Sequence, residues 1–122
     1  MLSEKLKEVF EHEGVVTIIA QGKDFPHAVN TWNSYVSLCN NCLIVPVGGM
    51  NTMEKILEND NRVLVTAGAK EVNGLHGQGT GFLIKGNAAI LFQGKEYEEI
   101  AKRFVWARAA MKIDISDLNQ TT

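Results

Sequence analysis

The apolar positions of this chain change period several times, and the changes mark out its elements. Ser3 precedes Leu6, Val9 and Phe10 at helical spacing, predicting a capped first helix that Gly14 ends. Val15 to Ala20 is β-branched and apolar, a buried strand. Turn residues follow at Gly22-Lys23-Asp24 and Pro26. His27 to Leu38 then predicts one long strand, with Asn30, Trp32, Ser34, Val36 and Leu38 on one face and Val29, Thr31, Asn33, Tyr35 and Ser37 on the other. Both faces mix polar with apolar groups, more than a plain core strand needs. Leu43 to Val47 is its returning partner. Gly48-Gly49 comes next, and Asn51-x-x-Glu54 resembles a capping box opening a helix from about Thr52 to Glu58. Arg62 to Ala69 predicts another strand, Gly74 to Gly81 a glycine-rich loop, and Phe82 to Phe92 a strand in which Gly86 marks a bulge or a close backbone contact. Tyr97, Ile100, Ala101, Phe104 and Ala107 place a helix over Lys95 to about Arg108. Met111 to Ile115 closes the pattern as a strand, and Ser116 to Thr122 reads as a polar tail.

Hairpin-like connections dominate, so the sheet should be largely antiparallel. The order predicts a mainly β, α+β architecture: one domain over residues 1–122, a barrel of about six strands with short flanking helices. A length of 122 residues fits one core. The net charge of -2 provides no electrostatic footprint for nucleic acid or anionic lipid. No apolar run approaches the roughly 20 residues that span a bilayer. The stretch from Met1 to Gly14 is charged and amphipathic, unlike a signal peptide. These features predict a soluble, cytoplasmic protein that binds neither nucleic acid nor membrane.

Chemistry has few places to reside. Cys39 and Cys42 form a C-x-x-C, a spacing that serves zinc half-sites and redox pairs. His12, His27 and His76 are scattered and offer no second half for a metal, so none is expected. Asn40-Asn41 between strand-like runs favours cross-strand neighbours on a hairpin instead. The strand Leu43–Val47, the two glycines and a helix start together form a candidate anion site, because glycine permits close backbone approach and a helix N-terminus presents unpaired N–H groups. The same residues also suit a simple tight turn. Asn30 to Tyr35 offers amide, hydroxyl and indole groups to a ring with carbonyl and N–H edges, or else a buried Trp in an ordinary strand. Gly77 to Gly81 suits a surface loop or a backbone nest. No G-x-S-x-G, H-E-x-x-H or Ser–His–Asp pattern occurs, and the catalytic residues, if any, stay unassigned.

Taken together, Glu13–Val16, Pro26-His27, Val29-Asn-Thr-Trp-Asn-Ser-Tyr35, Val45-Pro-Val-Gly-Gly-Met50, Arg62–Leu64, Gly79–Ile84 and Trp106–Ala110 resemble the small FMN-binding proteins of sulfate-reducing bacteria. More broadly the chain is similar to the pyridoxamine 5′-phosphate oxidase-like split-barrel flavoproteins. The resemblance runs over essentially the whole chain. It implies a six-stranded Greek-key split barrel and a homodimer with FMN near the subunit interface. It implies Asn30, Thr31 and Trp32 beside the flavin and Pro46, Val47, Gly48 and Gly49 along the ring and its chain. Asn51, Thr52 and Met53 match the phosphate-binding turn, Gly79 and Thr80 a loop near the cofactor, and Trp106 an aromatic beside the ring. Thr122 matches a position whose side chain covers the flavin from the neighbouring subunit.

Two departures stand out. Close relatives carry Lys then Thr in the phosphate turn, where this chain has Thr52 and Met53, with Lys55 one turn on. Thr122 replaces a bulkier apolar residue, which predicts a wetter flavin. The implied function is electron transfer through FMN with a redox partner protein. The alternatives are an NAD(P)H-dependent flavin reductase or oxidase, a flavin-storage or sensing module, and a barrel that binds proteins only.

Overall fold

The computed structural model describes residues 3–122; the first two residues of the amphipathic start, Met1 and Leu2, lie outside them. Helix α1 spans Glu4–Phe10, and Ser3 Oγ accepts a hydrogen bond from Leu6 N at 3.0 Å, the predicted cap. Leu6, Val9 and Phe10 face the core as their spacing requires. The helix stops at Phe10, ahead of Gly14, which is needed instead for close packing: a Cβ there would stand 2.5 Å from Gly68 O.

Seven strands form one antiparallel sheet: β1 (Val15–Gln21), β2 (Pro26–Trp32), β3 (Ser37–Cys39), β4 (Cys42–Val47), β5 (Arg62–Gly74), β6 (Gly77–Leu91) and β7 (Ala109–Gln120). Their order is β2-β1-β5-β6-β7-β4-β3. The antiparallel expectation therefore holds, with seven strands in place of six. The extra strand arises because His27–Leu38 is broken by a 3-10 turn over Asn33–Tyr35.

Asn33 causes the break. Its side chain is fully buried and donates from Nδ2 to Val9 O (3.2 Å), His12 O (2.8 Å) and Gly68 O (3.1 Å). Its backbone N–H donates to Gly14 O at 2.8 Å. One amide thus satisfies carbonyls from α1, the following turn and β5, a stronger demand than continuing a strand. Ser34 then caps the corner by donating from Oγ to Glu13 Oε2 at 2.9 Å and from its backbone N to Oε1. Those bonds from Ser34 hold the Glu13 carboxyl below the usual range.

Helix α2 spans Asn51–Asn59. Its N-cap is Met50, in the left-handed region at φ 59°, and no side chain caps it, so the expected Asn51–Glu54 capping box does not form. The glycine-rich segment is not a loop. β5 and β6 continue through it to a two-residue hairpin turn, with Gly74 opposite Gly77 and Ala69 opposite Thr80. Gly79 keeps φ at +101°, which favours glycine there.

Helix α3 is Lys95–Arg103, shorter than predicted; Phe104 caps it in extended geometry, and Ala107 N bonds back to Phe104 O. β7 runs through most of the predicted tail. Lys85 pairs with Asp117 but Gly86 with Ile115, so Ser116 is a bulge, and Gly86 supplies the close contact expected of it: a Cβ would meet Asp114 O at 2.4 Å. Beyond the bulge the inward phase moves from Ile113 and Ile115 to Leu118 and Gln120.

The main core gathers Leu6, Val9, Ile18, Leu43, Val45, Val65, Ile84, Met111 and Ile113 inside the curled sheet. A second, smaller cluster of Cys42, Ile44, Ile100 and Ala110 lies between the outer face of β4 and α3. Cys39 and Cys42 are directly opposed across the β3–β4 hairpin, as expected, and their sulfurs form a disulfide. Among the described residues, no helix is long and apolar enough to cross a membrane.

Asn33→Asp preserves the shape of the corner but turns a carboxylate toward three carbonyls. A loss of about 3 kcal/mol is expected from the stranded carbonyls and the buried charge. Urea unfolding measures it; a midpoint equal to the parent's would show that Asn33 does not hold the corner.

Candidate cofactor site

β2 and β4 stand at positions one and six in the sheet order, yet both line one cleft of about 370 Å³. The sheet curls until its two ends approach, and the cleft is the seam where the barrel stays open. β2 contributes Asn30, Thr31 and Trp32, and Tyr35 follows from the 3-10 turn. Pro46, Gly48, Gly49 and Met50 enter from the other side, and Trp106 closes one end. The volume falls within the range of small-molecule pockets.

The seam is walled by aromatic rings. Tyr35, Phe104 and Trp106 form one cluster, with centroids 4.9 Å apart for Tyr35–Phe104 and 5.3 Å for Phe104–Trp106. Trp106 lies against the main chain at Gly48, where a Cβ would come within 3.1 Å of its ring. Trp32 and Trp106 remain about half exposed, at 46% and 51%. Val15, paired with Trp32, and Val105, 97% exposed, extend this open apolar surface.

The polar strand divides its work. Asn30 and Thr31 line the cleft; Thr17 donates to Asn30 Oδ1 at 2.7 Å, which leaves the Asn30 amide N–H groups to donate elsewhere. Asn33 and Ser34 do not reach the cleft, being committed to the corner.

The turn into α2 carries the clearest chemical signal. None of the backbone N–H groups of Gly49, Met50, Asn51, Thr52 and Met53 has an acceptor among the described residues; the first helical bond is Glu54 N to Met50 O at 2.9 Å. Met53 is fully buried, but Gly49 to Thr52 keep exposed surface, and their free donors at a helix N-terminus form a candidate anion nest. A Cβ on Gly49 would meet nothing within 4 Å, so the space above it is open.

Arg108, not singled out from the sequence, holds this turn. Its Nε donates to Gly48 O at 2.8 Å and Nη2 to Gly49 O at 2.6 Å and to Glu54 Oε1 at 2.8 Å. Because a trans peptide points its N–H opposite its carbonyl, the Gly49 and Met50 N–H groups point away from the guanidinium. The signal lies in register: Val47 pairs with Ala109, which sets Arg108 beside Gly48. That pairing joins residues 62 positions apart and is invisible to local pattern.

The remaining candidates sort as follows. Val47 and Met53 are fully buried, main chain included, and neither lines the cleft. Asn51 and Thr52 are exposed in the first turn of α2, and Lys55, also exposed, forms no ion pair among the described residues. Gly79, Thr80 and Thr122 line a different cleft of about 470 Å³ with Lys70, His76 and Gln78. There Thr80 Oγ1 donates to Thr122 O at 2.7 Å and accepts from Gln120 Nε2 at 3.0 Å, which pins the C-terminal residue to β6. Ten of the predicted residues thus divide between two clefts with no lining residue in common, and Val47, Asn51, Thr52 and Met53 line neither. Among the described residues, no group of three or more His, Cys, Asp or Glu side chains is arranged to hold a metal.

No protein-family model matches the chain. A protein from Nitratidesulfovibrio vulgaris (strain Miyazaki F), named FMN-binding protein, is 51% identical over 122 residues, covering 99% of each chain. Among solved structures, HupZ of Group A Streptococcus superposes with a TM-score of 0.79 at 15% identity, covering 98% of this chain and 94% of that one. A Listeria innocua protein described as a candidate pyridoxamine 5′-phosphate oxidase gives 0.70 at 17% identity, covering 98% and 95%. The structural likenesses speak for the fold alone, and the end-to-end identity speaks for descent. The chain belongs to the family of the small FMN-binding protein of sulfate-reducing bacteria and shares its fold with the candidate pyridoxamine 5′-phosphate oxidase.

Proposed function

We propose that this chain binds FMN without a covalent bond and carries electrons through it, as a homodimer. The observation that carries the reading is the run of unpaired N–H groups from Gly49 to Thr52 beside an aromatic cleft. FMN fits both halves. Its phosphate matches the nest, and the open space over Gly49 admits close approach. Its ring matches the cleft between Trp32 and Trp106, with Asn30 and Thr31 as partners for the polar edge and Pro46 and Gly48 along the backbone side. Bound FMN supplies one- and two-electron redox chemistry.

The protein's part is to bind, orient and shield. The polar side chains around the cleft are amide, hydroxyl, indole and phenol, and the guanidinium of Arg108 is taken up by two carbonyls and Glu54. These groups suit holding a ring better than moving a substrate proton, which favours a carrier that meets a redox partner protein over a reductase. The second cleft supports the dimer. A neighbouring copy would bring its Gly79, Thr80 and Thr122 to the open seam and cover Trp32, Val105 and Trp106.

Gly49→Asp sets a carboxylate in open space at the nest. FMN affinity is expected to fall by roughly 100-fold, as for loss of a charge-assisted site, while the apo-chain melts as before. Fluorescence titration reads this, and unchanged affinity would mean the phosphate sits elsewhere. Thr52→Lys adds a cation to the same turn and should tighten FMN about tenfold. No gain would show that another base already serves. In anaerobic stopped-flow, the FMN-loaded protein should be reduced by NADH and NADPH far more slowly than the roughly 10 s⁻¹ of a typical enzyme. Turnover at that rate with either nucleotide would identify a reductase.

A further inference from the structure

The cysteine pair is absorbed neither by the cofactor cleft nor by the core of the barrel. Cys39 and Cys42 flank a two-residue turn and are directly opposed across the β3–β4 hairpin, with Cα atoms 5.1 Å apart. β4 is in turn held along its whole length by β7, from Cys42↔Asp114 to Val47↔Ala109. Main-chain pairing therefore fixes both cysteines whether or not the sulfurs are joined. The bond closes a ring that the hairpin has already closed, so it constrains the unfolded chain little and braces nothing that pairing leaves loose.

The two sulfurs differ in access. Cys42 is 4% exposed and sits in the cluster with Ile44, Ile100 and Ala110 under α3. Cys39 is half-buried at the cluster's margin. Their electrostatic surroundings differ too. Ser37 shares a strand face with Cys39, and Arg103 Nη1 donates to Ser37 Oγ at 2.7 Å, so a guanidinium stands on that face. Cys42 is opposed across β4–β7 by the exposed Asp114. Access singles out Cys39 as the exchanging sulfur, since a donor thiolate can reach it and not the buried Cys42.

We propose that Cys39–Cys42 is a second two-electron redox site of this chain, reduced and re-formed by exchange with dithiols. A thiolate of the donor attacks Cys39 Sγ, the Cys39–Cys42 bond breaks, and Cys42 leaves and takes up a proton. The donor's second thiolate then attacks its own sulfur in the mixed disulfide and releases Cys39. Two cysteine thiols form as one dithiol becomes a disulfide, and an oxidised dithiol runs the sequence in reverse. Neither state disturbs the strand register, so the exchange proceeds on the folded protein and does not depend on a bound flavin.

The test equilibrates the full-length protein, FMN-free and FMN-supplemented, with dithiothreitol or oxidised dithiothreitol under argon, followed by acid quench, alkylation and mass measurement. The expected result is two alkyl groups in the reduced arm and none in the oxidised arm, reversibly, with native circular dichroism in both. Reduction that occurs only in guanidinium, or thiols that stay free under oxidised dithiothreitol, would overturn the proposal. Single variants then test the assignment. With oxidised glutathione, Cys42→Ser, which leaves Cys39, should form the mixed disulfide at least tenfold faster than Cys39→Ser; equal rates would refute Cys39 as the exchanging sulfur. Failure of FMN to bind would leave these outcomes unchanged, so the two readings stand or fall separately.

Discussion

The hold of one guanidinium on two glycine carbonyls organises the candidate site. Arg108 takes the carbonyl oxygens of Gly48 and Gly49 and neutralises Glu54 in the first turn of α2. With those carbonyls turned inward, the N–H groups that follow face the other way and stay unpaired. Glycine at 48 also lets Trp106 lie against the chain. The nest and the aromatic wall are therefore products of one short segment and of the β4–β7 register that brings Arg108 to it. Charge is central, because an array of donors gains little from a neutral ligand but attracts an anion strongly.

The seam depends on a second constraint, the corner at Asn33. By closing carbonyls from three separate segments, Asn33 ends β2 and sends the chain across to the far side of the sheet. Thr31 and Trp32 stop at the cleft because the strand stops there. A continuous strand would have carried Tyr35 away from Phe104 and Trp106. The residues of the second cleft sit apart from the first within one chain.

Much of this was legible in the residues. The capped first helix, the antiparallel strands, the Cys39–Cys42 hairpin and the contact at Gly86 follow from spacing and turn chemistry. The misses share a cause: long-range contacts overrode local preference. Asn33 looked like one more strand residue because its partners lie 21 to 35 positions away. The tail from Ser116 looked irregular because one bulge reverses its inward phase. Asn51 looked like a helix cap, but Met50 takes that position in left-handed geometry and leaves the donors free. Gly79 and Thr80 read as loop because glycine is rare in strands, though paired β5 and β6 accommodate them. Arg108 could be named only once strand register was known.

Amide chemical shifts of the turn test the phosphate site most directly. Nitrogen-15-labelled protein is titrated with FMN and, separately, with riboflavin, which has the same ring but no phosphate. A phosphate held by the nest predicts downfield movement of the Gly49 to Thr52 amide protons with FMN and not with riboflavin. Equal responses to the two ligands, or none at these amides, would contradict the account.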